Sequence, residues 1–558
     1  MDSRLKDILA IHGKLVTHRR NYEPMWQEIA ERLMPDAAVF TNTPQPGGKR
    51  TQKMFDATAA LALTRYGAAM ESMLTPRTQR WHGLRHRDKR LSEKQNIKEY
   101  FDVVTDVLFS ARYAPEANFA DQAHQCYMSL GAYGNGPMFI DDMLGRGIRY
   151  RSLHLSELYF CENFAGIIDM VHRPFKYSAR QAYQRFGEEL PEKVRKLVGG
   201  KDEMQEFKFL HCVKPNEDYK PGRLGQNALK FSSYYICLDE EKMVRAGNGY
   251  RTFPYAIGRN MTMPGEVYGR GPASLVLPDI KQLNEFEKIM LRQGHMAIDP
   301  AILLSEDGNL TGFNHQPGAL MWGGLDEDGN ELAKPFRTEA KLAVGFDMME
   351  QKRKLINDAF LVTLFQILVD NPQMTATEAM LRAQEKGQLL APTMGRQQSE
   401  FLGRIIPREI EILTMAGELP PPPPELVEAG FDGLTMDGID VEYVSPLNRA
   451  QKAEEGVAIA RTIELAGSIA QYDPEAPRIL KGSEMLREVA EINGMRSKLL
   501  YSPEELAAQK QQAAEAEQLN QLLAAAPVAG KAAKDFAQAQ ALAGAGGNAA
   551  LAPVTLPQ

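Results

Sequence analysis

The chain has 558 residues, 44% of them hydrophobic and 25% charged, and a net charge of −7 at pH 7. These proportions fit a globular protein long enough for about three or four domain-sized units, with no need of a disulfide or metal staple. They argue against a chain that wraps nucleic acid non-specifically; the four cysteines form no CxxC pair, so neither a zinc site nor a disulfide framework is signalled.

The opening MDSRLKDILAIHGKLVTHRR has no uninterrupted apolar stretch of the kind a secretion leader carries. Tyr22, Met25, Trp26, Ile29, Ala30 and Leu33 recur at helical spacing, which predicts helix over residues 1–34, ended by Pro35. A Pro/Gly/Thr loop covers 36–52. A second helix is expected over 53–74, carrying Phe55, Ala59, Leu63, Tyr66, Met70 and Met73 and stopped by Pro76. Ile97, Phe101, Val104 and Leu108 predict a third over 92–112, and residues 116–133 read as a fourth.

From residue 134 the pattern changes to short β-rich runs between turn residues, with a helix expected at 178–199, so 134–270 reads as mixed α/β. Ile280, Leu283, Phe286, Ile289, Met290 and Ala297 then place an apolar stripe on a helix over 278–297. Residues 299–337 are rich in glycine, proline and acids and predict a compact turn-and-strand insert. A long helix is expected over 338–369, bearing Leu342, Phe346, Met349, Ile356, Phe360, Leu364 and Ile367, with Asn371-Pro372 as its break. The longest strongly apolar run, 359–369, is too short to span a bilayer as a helix.

Thr375 and Glu378 have capping-box spacing and restart a helix. Another is expected over 396–416, closed by Gly417. Pro420–Pro424 forms a stiff extended spacer. Residues 437–447 return one strand, and 449–470 and 481–496 are helical. Ser502-Pro503-Glu504-Glu505 opens an Ala/Gln/Glu helix to about residue 525. The final stretch, 526–558, has too few large side chains to order itself.

Catalytic motifs are missing. Gly47-Gly48-Lys49-Arg50 has Arg50 where a phosphate-binding loop needs a hydroxyl, and lacks the leading glycine. Gly134-Asn135-Gly136-Pro137 and Gly269-Arg270-Gly271-Pro272 do not complete a dinucleotide fingerprint and read as tight turns. Asp326-Glu327-Asp328-Gly329-Asn330 has its glycine out of place for a calcium loop. His82 and His86 have i,i+4 spacing, with no third metal ligand adjacent. Two amphipathic helices bracket an acidic insert, and a body of this kind offers them no evident cover; neighbouring copies of the same hairpin in a ring would supply it.

Several blocks, in this order, resemble the portal (head-to-tail connector) proteins of short-tailed, podovirus-type bacteriophages: YEPMWQEIAERLMPD at 22–36, FDATAALALTRYGAAMESMLTP at 55–76 followed by Trp81, GAYGNGPMFID at 131–141, GRGPASLVLPDIKQLN at 269–284, MTATEAM at 374–380 and GELPPPPPEL at 417–426. The resemblance spans residues 15–450; the C-terminal 110 residues match only in being helical and Ala-rich.

The resemblance implies a mixed, predominantly α fold with an α/β wing, assembled as a ring, usually of twelve subunits, around a DNA channel. The wing would comprise 1–277 and return over 370–448. The stem would be 278–298 and 338–369, the clip 299–337, the helical crown 449–525 and a disordered tail 526–558. It implies a structural protein without catalytic residues, metal or cofactor, sited at one capsid vertex of the virion and assembled in the host bacterial cytoplasm. Implied partners are the terminase large subunit, the tail adaptor, scaffolding and major capsid proteins, and the double-stranded DNA that passes through; no membrane is implied.

With twelve copies, −7 per chain becomes −84, which suits a wall that should not grip phosphate. Lys352, Arg353, Lys354 and Arg396 are the candidate channel-lining cations; pairing of the first three with acids of a neighbouring stem is the equal alternative. A narrowing loop is expected at 370–375 or 389–396. Glu306, Asp307, Asp326, Glu327, Asp328 and Glu331 are candidate clip contacts for partners that must exchange. Two other readings stay open on the residues alone, another virion structural protein (a scaffold or internal head protein) and a cytosolic α/β enzyme without a recognisable motif.

Overall fold

A computed structural model describes residues 3–516, except 43–44, 46, 144–146, 221–224, 305–324, 326–327, 332, 336–341, 363–391, 432, 435, 437, 444–445, 470–478, 493–494, 496–498 and 502–504. The chain divides into two units, residues 1–463 and 464–558.

The first unit opens with helices Ser3–Arg19, Glu23–Leu33, Thr58–Leu74, Gln95–Arg112 and Phe119–Tyr133. The single helix expected over 1–34 is thus two. Pro24 is the cause: it stands in the first turn of the second helix, where its missing N–H is harmless, whereas inside a continuous helix its ring would clash with the carbonyl four residues back. The apolar stripes of these helices meet in the main core, where Trp26, Trp81, Tyr127 and Tyr133 are fully buried.

Two antiparallel sheets follow. Asn135–Asp142 runs between Ile148–Ser152 and Tyr255–Arg259. A five-stranded meander takes Tyr159–Glu162, Ile168–Ser178, Glu206–Pro215, Phe231–Cys237 and Lys242–Tyr250 in sequence order. The helix expected at 178–199 is broken into Ala179–Phe186 and Glu192–Arg195. Ser178 and Gln181 form a reciprocal capping box at its start, and Gly187, at φ +55°, turns the chain out after one short run.

A strand pair not foreseen from the sequence joins distant parts of the unit: His82–His86 runs antiparallel to Ile439–Tyr443, with Leu84 opposite Val441. The latter lies within the strand expected at 437–447. His82 and His86 therefore stand at opposite ends of a strand, roughly 13 Å apart along it at about 3.3 Å per residue, too far to share a metal.

The two glycine-proline motifs serve each other. Gly134, at φ +78°, closes helix Phe119–Tyr133 in the left-handed region, where a Cβ would lie 2.4–2.5 Å from the backbone of Gly269 and Arg270. A Cβ on Gly271 would meet the carbonyl oxygen of Gly131 at 2.5 Å. Asn135 ties the two turns, its Nδ2 donating to the Gly269 carbonyl at 3.2 Å and its Oδ1 accepting from the Gly269 N–H at 2.9 Å. Glycine is needed there for close backbone approach.

The helices expected at 278–297 and 338–369 appear as Leu277–Ile298 and Leu342–Ala359. The second is interrupted at residues 360–361, where Leu361 is held at φ +59°, a left-handed conformation that breaks the helical hydrogen-bond run; Val362 is helical again, and residues 363–369 lie outside the described residues. Between them, Ile302–Leu304 pairs with Ala333–Pro335 and Leu325 bridges Glu331, as expected of a turn-and-strand insert. The restarted helix with Thr375 and Glu378 lies outside the described residues.

Residues 392–396 are helical, which corrects the loop expected at 389–396 for its described part. They lead through a π-turn, Gln397–Leu402, into Gly403–Ala416, which contains Pro407. Helix Pro446–Ile469 follows. In the second unit, Gly482–Ile492 and 505–516 are helical; residues 526–558 lie outside the described residues.

Candidate functional site

The paired helices Leu277–Ile298 and Leu342–Ala359 are the best-placed elements for assembly, because they are only half covered. Ile280, Leu283, Met349 and Ile356 are buried. Met290 lies against Gly345, where an added Cβ would come within 3.0 Å of its sulfur; the missing side chain lets the helices close up there. Leu277, Phe286 and Met290 pack partly against the core, whereas Ile289, Leu291, Met296 and Ile298 on the first helix, and Val344, Phe346, Met348 and Leu355 on the second, are exposed.

The exposed set is arranged, not scattered. At about 100° per residue, Val344, Met348 and Leu355 fall within an arc of about 40° on one side of the buried Met349–Ile356 line. Phe346 falls on the other side of that line. The helix thus offers apolar surface on two flanks, and water is a poor partner for both.

A cluster of charges anchors this hairpin to the rest of its unit. Arg353 donates from Nε and Nη2 to Asp56 Oδ2 at 3.0 and 2.8 Å, and from Nη2 to Glu287 Oε2 at 3.3 Å. Lys352 Nζ donates to Asp279 Oδ1 at 2.6 Å. Asn284 Oδ1 accepts the backbone N–H groups of Phe55 and Asp56 at 2.7 and 3.1 Å. Burial of Asp56 opposes its charge, but hydrogen bonds from Thr58 and from the Arg353 guanidinium hold its carboxyl below the usual carboxylate range. The Arg353 guanidinium holds its proton more tightly than usual, chiefly through the hydrogen bond to Asp56.

Of the four candidate channel cations, the structure therefore engages Lys352 and Arg353 with acids of the same chain. Lys354 is exposed, because consecutive helical residues diverge by about 100° and cannot share a face. Arg396 is half-buried and donates to Thr262 Oγ1. Of the acidic candidates, Asp328 and Glu331 are exposed in the insert, while Glu306, Asp307, Asp326 and Glu327 lie outside the described residues.

Sequence reasoning missed the buried ion pairs that fix the body behind this hairpin. Arg112 Nε donates to Glu409 Oε1 at 2.8 Å, with both side chains fully buried. Tyr150 donates its hydroxyl to the same carboxylate, and Arg112 lies 4.5 Å over the Trp81 ring. Arg259, 4% exposed, donates to both oxygens of Glu400 at 2.9 and 2.8 Å and to Glu162. No local signal could reveal partners 297 and 141 residues apart. Burial and the nearby Arg112 and Arg80 charges hold His82 neutral, well below its usual pKa.

Among the described residues no group of three metal-capable side chains comes together, and no helix is long and apolar enough to cross a membrane. Residues 5–500 match a family model described as bacteriophage head to tail connecting protein. Two curated relatives are similar over nearly their whole length. A protein of Bordetella phage BPP-1 named probable portal protein is 25% identical over 92% of each chain. A protein of Salmonella phage epsilon15 named portal protein is 24% identical over 95% of this chain and 94% of its own.

Proposed function

The chain belongs to the bacteriophage head to tail connecting protein family, and from that premise we propose that it is the portal subunit whose copies stand side by side as a ring around a DNA channel. Its role is structural, as a component of the virion. The observation that carries the ring is the two-flanked apolar surface of the paired helices. A stave in a closed ring meets two neighbours through two different patches, a heterologous contact that closes on itself. Val344, Met348 and Leu355 would face one neighbour and Phe346 the other.

In this reading the paired helices are the stem, the insert between them is the clip, the flanking α/β body is the wing, and the helices after residue 449 are the crown. Twelve subunits is the expected number. The terminase large subunit would dock on the clip during packaging and the tail adaptor afterwards, with scaffolding and major capsid proteins meeting the body at one vertex. Assembly would take place in the host bacterial cytoplasm. Exposed Asp328 and Glu331 suit a polar contact that must be released. Of the three candidate cations on the second stem helix, Lys354 is the one left to meet passing DNA, since Lys352 and Arg353 are engaged by Asp279, Asp56 and Glu287; Arg396 is the further candidate.

Deleting residues 305–332 tests the clip assignment. Rings should still form, and terminase or adaptor should no longer bind them in co-sedimentation. Loss of the rings themselves would place the insert in the oligomer core instead.

A further inference from the structure

Helix Ser3–Arg19 is held by its own small set of contacts. Leu5 and Ile8 pack with Leu210, Cys212 and Ile236 in a cluster separate from the main core. Next along the helix, His12 stacks on His172 of strand Ile168–Ser178, with ring centroids 5.6 Å apart and planes 15° from parallel, and meets the Tyr159 ring edge-on at 5.1 Å. His172 Nε2 lies 3.1 Å from Cys212 Sγ. Nδ1 of both imidazoles is buried without a hydrogen-bond partner.

The groups facing this stack leave a proton unwelcome. Arg19, on the same helix, is a cation already committed to Glu23, Tyr159 and the carbonyls of Leu155, Ser156 and Leu158. Lys214, on strand Glu206–Pro215, is paired with Glu217 at 2.9 Å. Tyr159, Cys212 and neighbouring His211 are neutral, the last sealed between Tyr255 and Ser233. Among the described residues no carboxylate bonds either imidazole.

We propose that the His12–His172 stack makes the N-terminal helix an acid-released latch, so that protonation of either ring undocks the helix up to its Arg19 anchor from the sheet while the body stays folded. Two charged imidazoles stacked this closely would repel each other, and among the described residues no carboxylate pairs with a single charge there. Burial, helped by His12 and Lys214, pushes His172 down to about 3. Burial and then Arg19 lower His12 as well. Once undocked, each ring returns toward about 6.5 and binds a proton that the docked state excludes. Stability of the docked helix is therefore complete above pH 6.5 and falls as pH drops below it, by up to about tenfold per pH unit for each excluded proton.

Hydrogen exchange read by mass spectrometry on the full chain, corrected for the intrinsic rate, tests this. Between pH 7.5 and 5.0, peptides from 3–19 should lose protection by about 30-fold or more, while peptides from 58–74 and 119–133 keep theirs. His172→Phe, or His172→Gln should the first fail to fold, should remove most of that pH dependence. The proposal is overturned if the helix and the core lose protection together, if neither changes, or if a folded His172 variant behaves like the wild type. The wild-type comparison alone decides should both variants fail to fold.

Discussion

Arg112→Ala is expected to destabilise the folded chain by about 3–5 kcal/mol, among the largest effects of any single substitution in it. The guanidinium and its partner Glu409 are both fully buried. Burial works against the charge on Arg112, but the Glu409 carboxylate and its hydrogen bonds more than offset this and hold the proton tightly. Removing Arg112 leaves Glu409 as a charge in the core, with Tyr150 as one remaining donor. The same change strips His82 Nε2 of its donor at 3.0 Å and leaves the Trp81 ring without its cation. The midpoint of urea unfolding should fall accordingly. Adding Glu409→Leu to the Arg112 variant should recover part of the loss, because an apolar pair costs less than an unmatched ion. A single variant that unfolds within about 1 kcal/mol of the wild type would show that the pair is not the anchor inferred here.

The second large effect concerns assembly, not folding. Val344→Asp combined with Leu355→Asp should leave the monomer folded, since both positions are exposed in the single chain and surface changes rarely cost much. In a ring, each variant subunit would bury two carboxylates against a neighbour, at several kcal/mol per uncompensated ion. Rings should be lost, and the protein should sediment as a folded single chain with unchanged circular dichroism. Asp347→Asn, on the polar arc of the same helix, is the matched control and should assemble normally. Rings that persist in the double variant would place the subunit contact elsewhere.

Much of the fold was legible because helical periodicity is a local property. Ile97, Phe101, Val104 and Leu108 marked one helix, and all four are buried. Ile280 and Leu283 marked another in the same way. The errors share a cause, which is that a single backbone constraint overrides an apolar pattern. Pro24 split the first helix, Gly187 and Pro191 cut the one expected at 178–199, and left-handed Leu361 interrupted the second stem helix, which resumes at Val362.

The candidate site was less legible. Lys352, Arg353 and Lys354 form a run in sequence, yet a helix points them in three directions, and only the fold supplies Asp279 and Asp56, 73 and 297 residues away. Strand His82–His86 was hidden because its partner lies some 350 residues on, and HGLRH carries little of the alternation that marks a strand. The glycine-proline motifs were visible, but their purpose was not, since each explains the other only when the two turns touch.

The most direct test of the account is the mass of the purified full-length protein together with its end-on image by electron microscopy. Twelve chains of 62.3 kDa predict a particle of about 0.75 MDa with a central opening. A stable species of 62.3 kDa at high concentration, with Val344, Phe346, Met348 and Leu355 covered by its own chain, would contradict it.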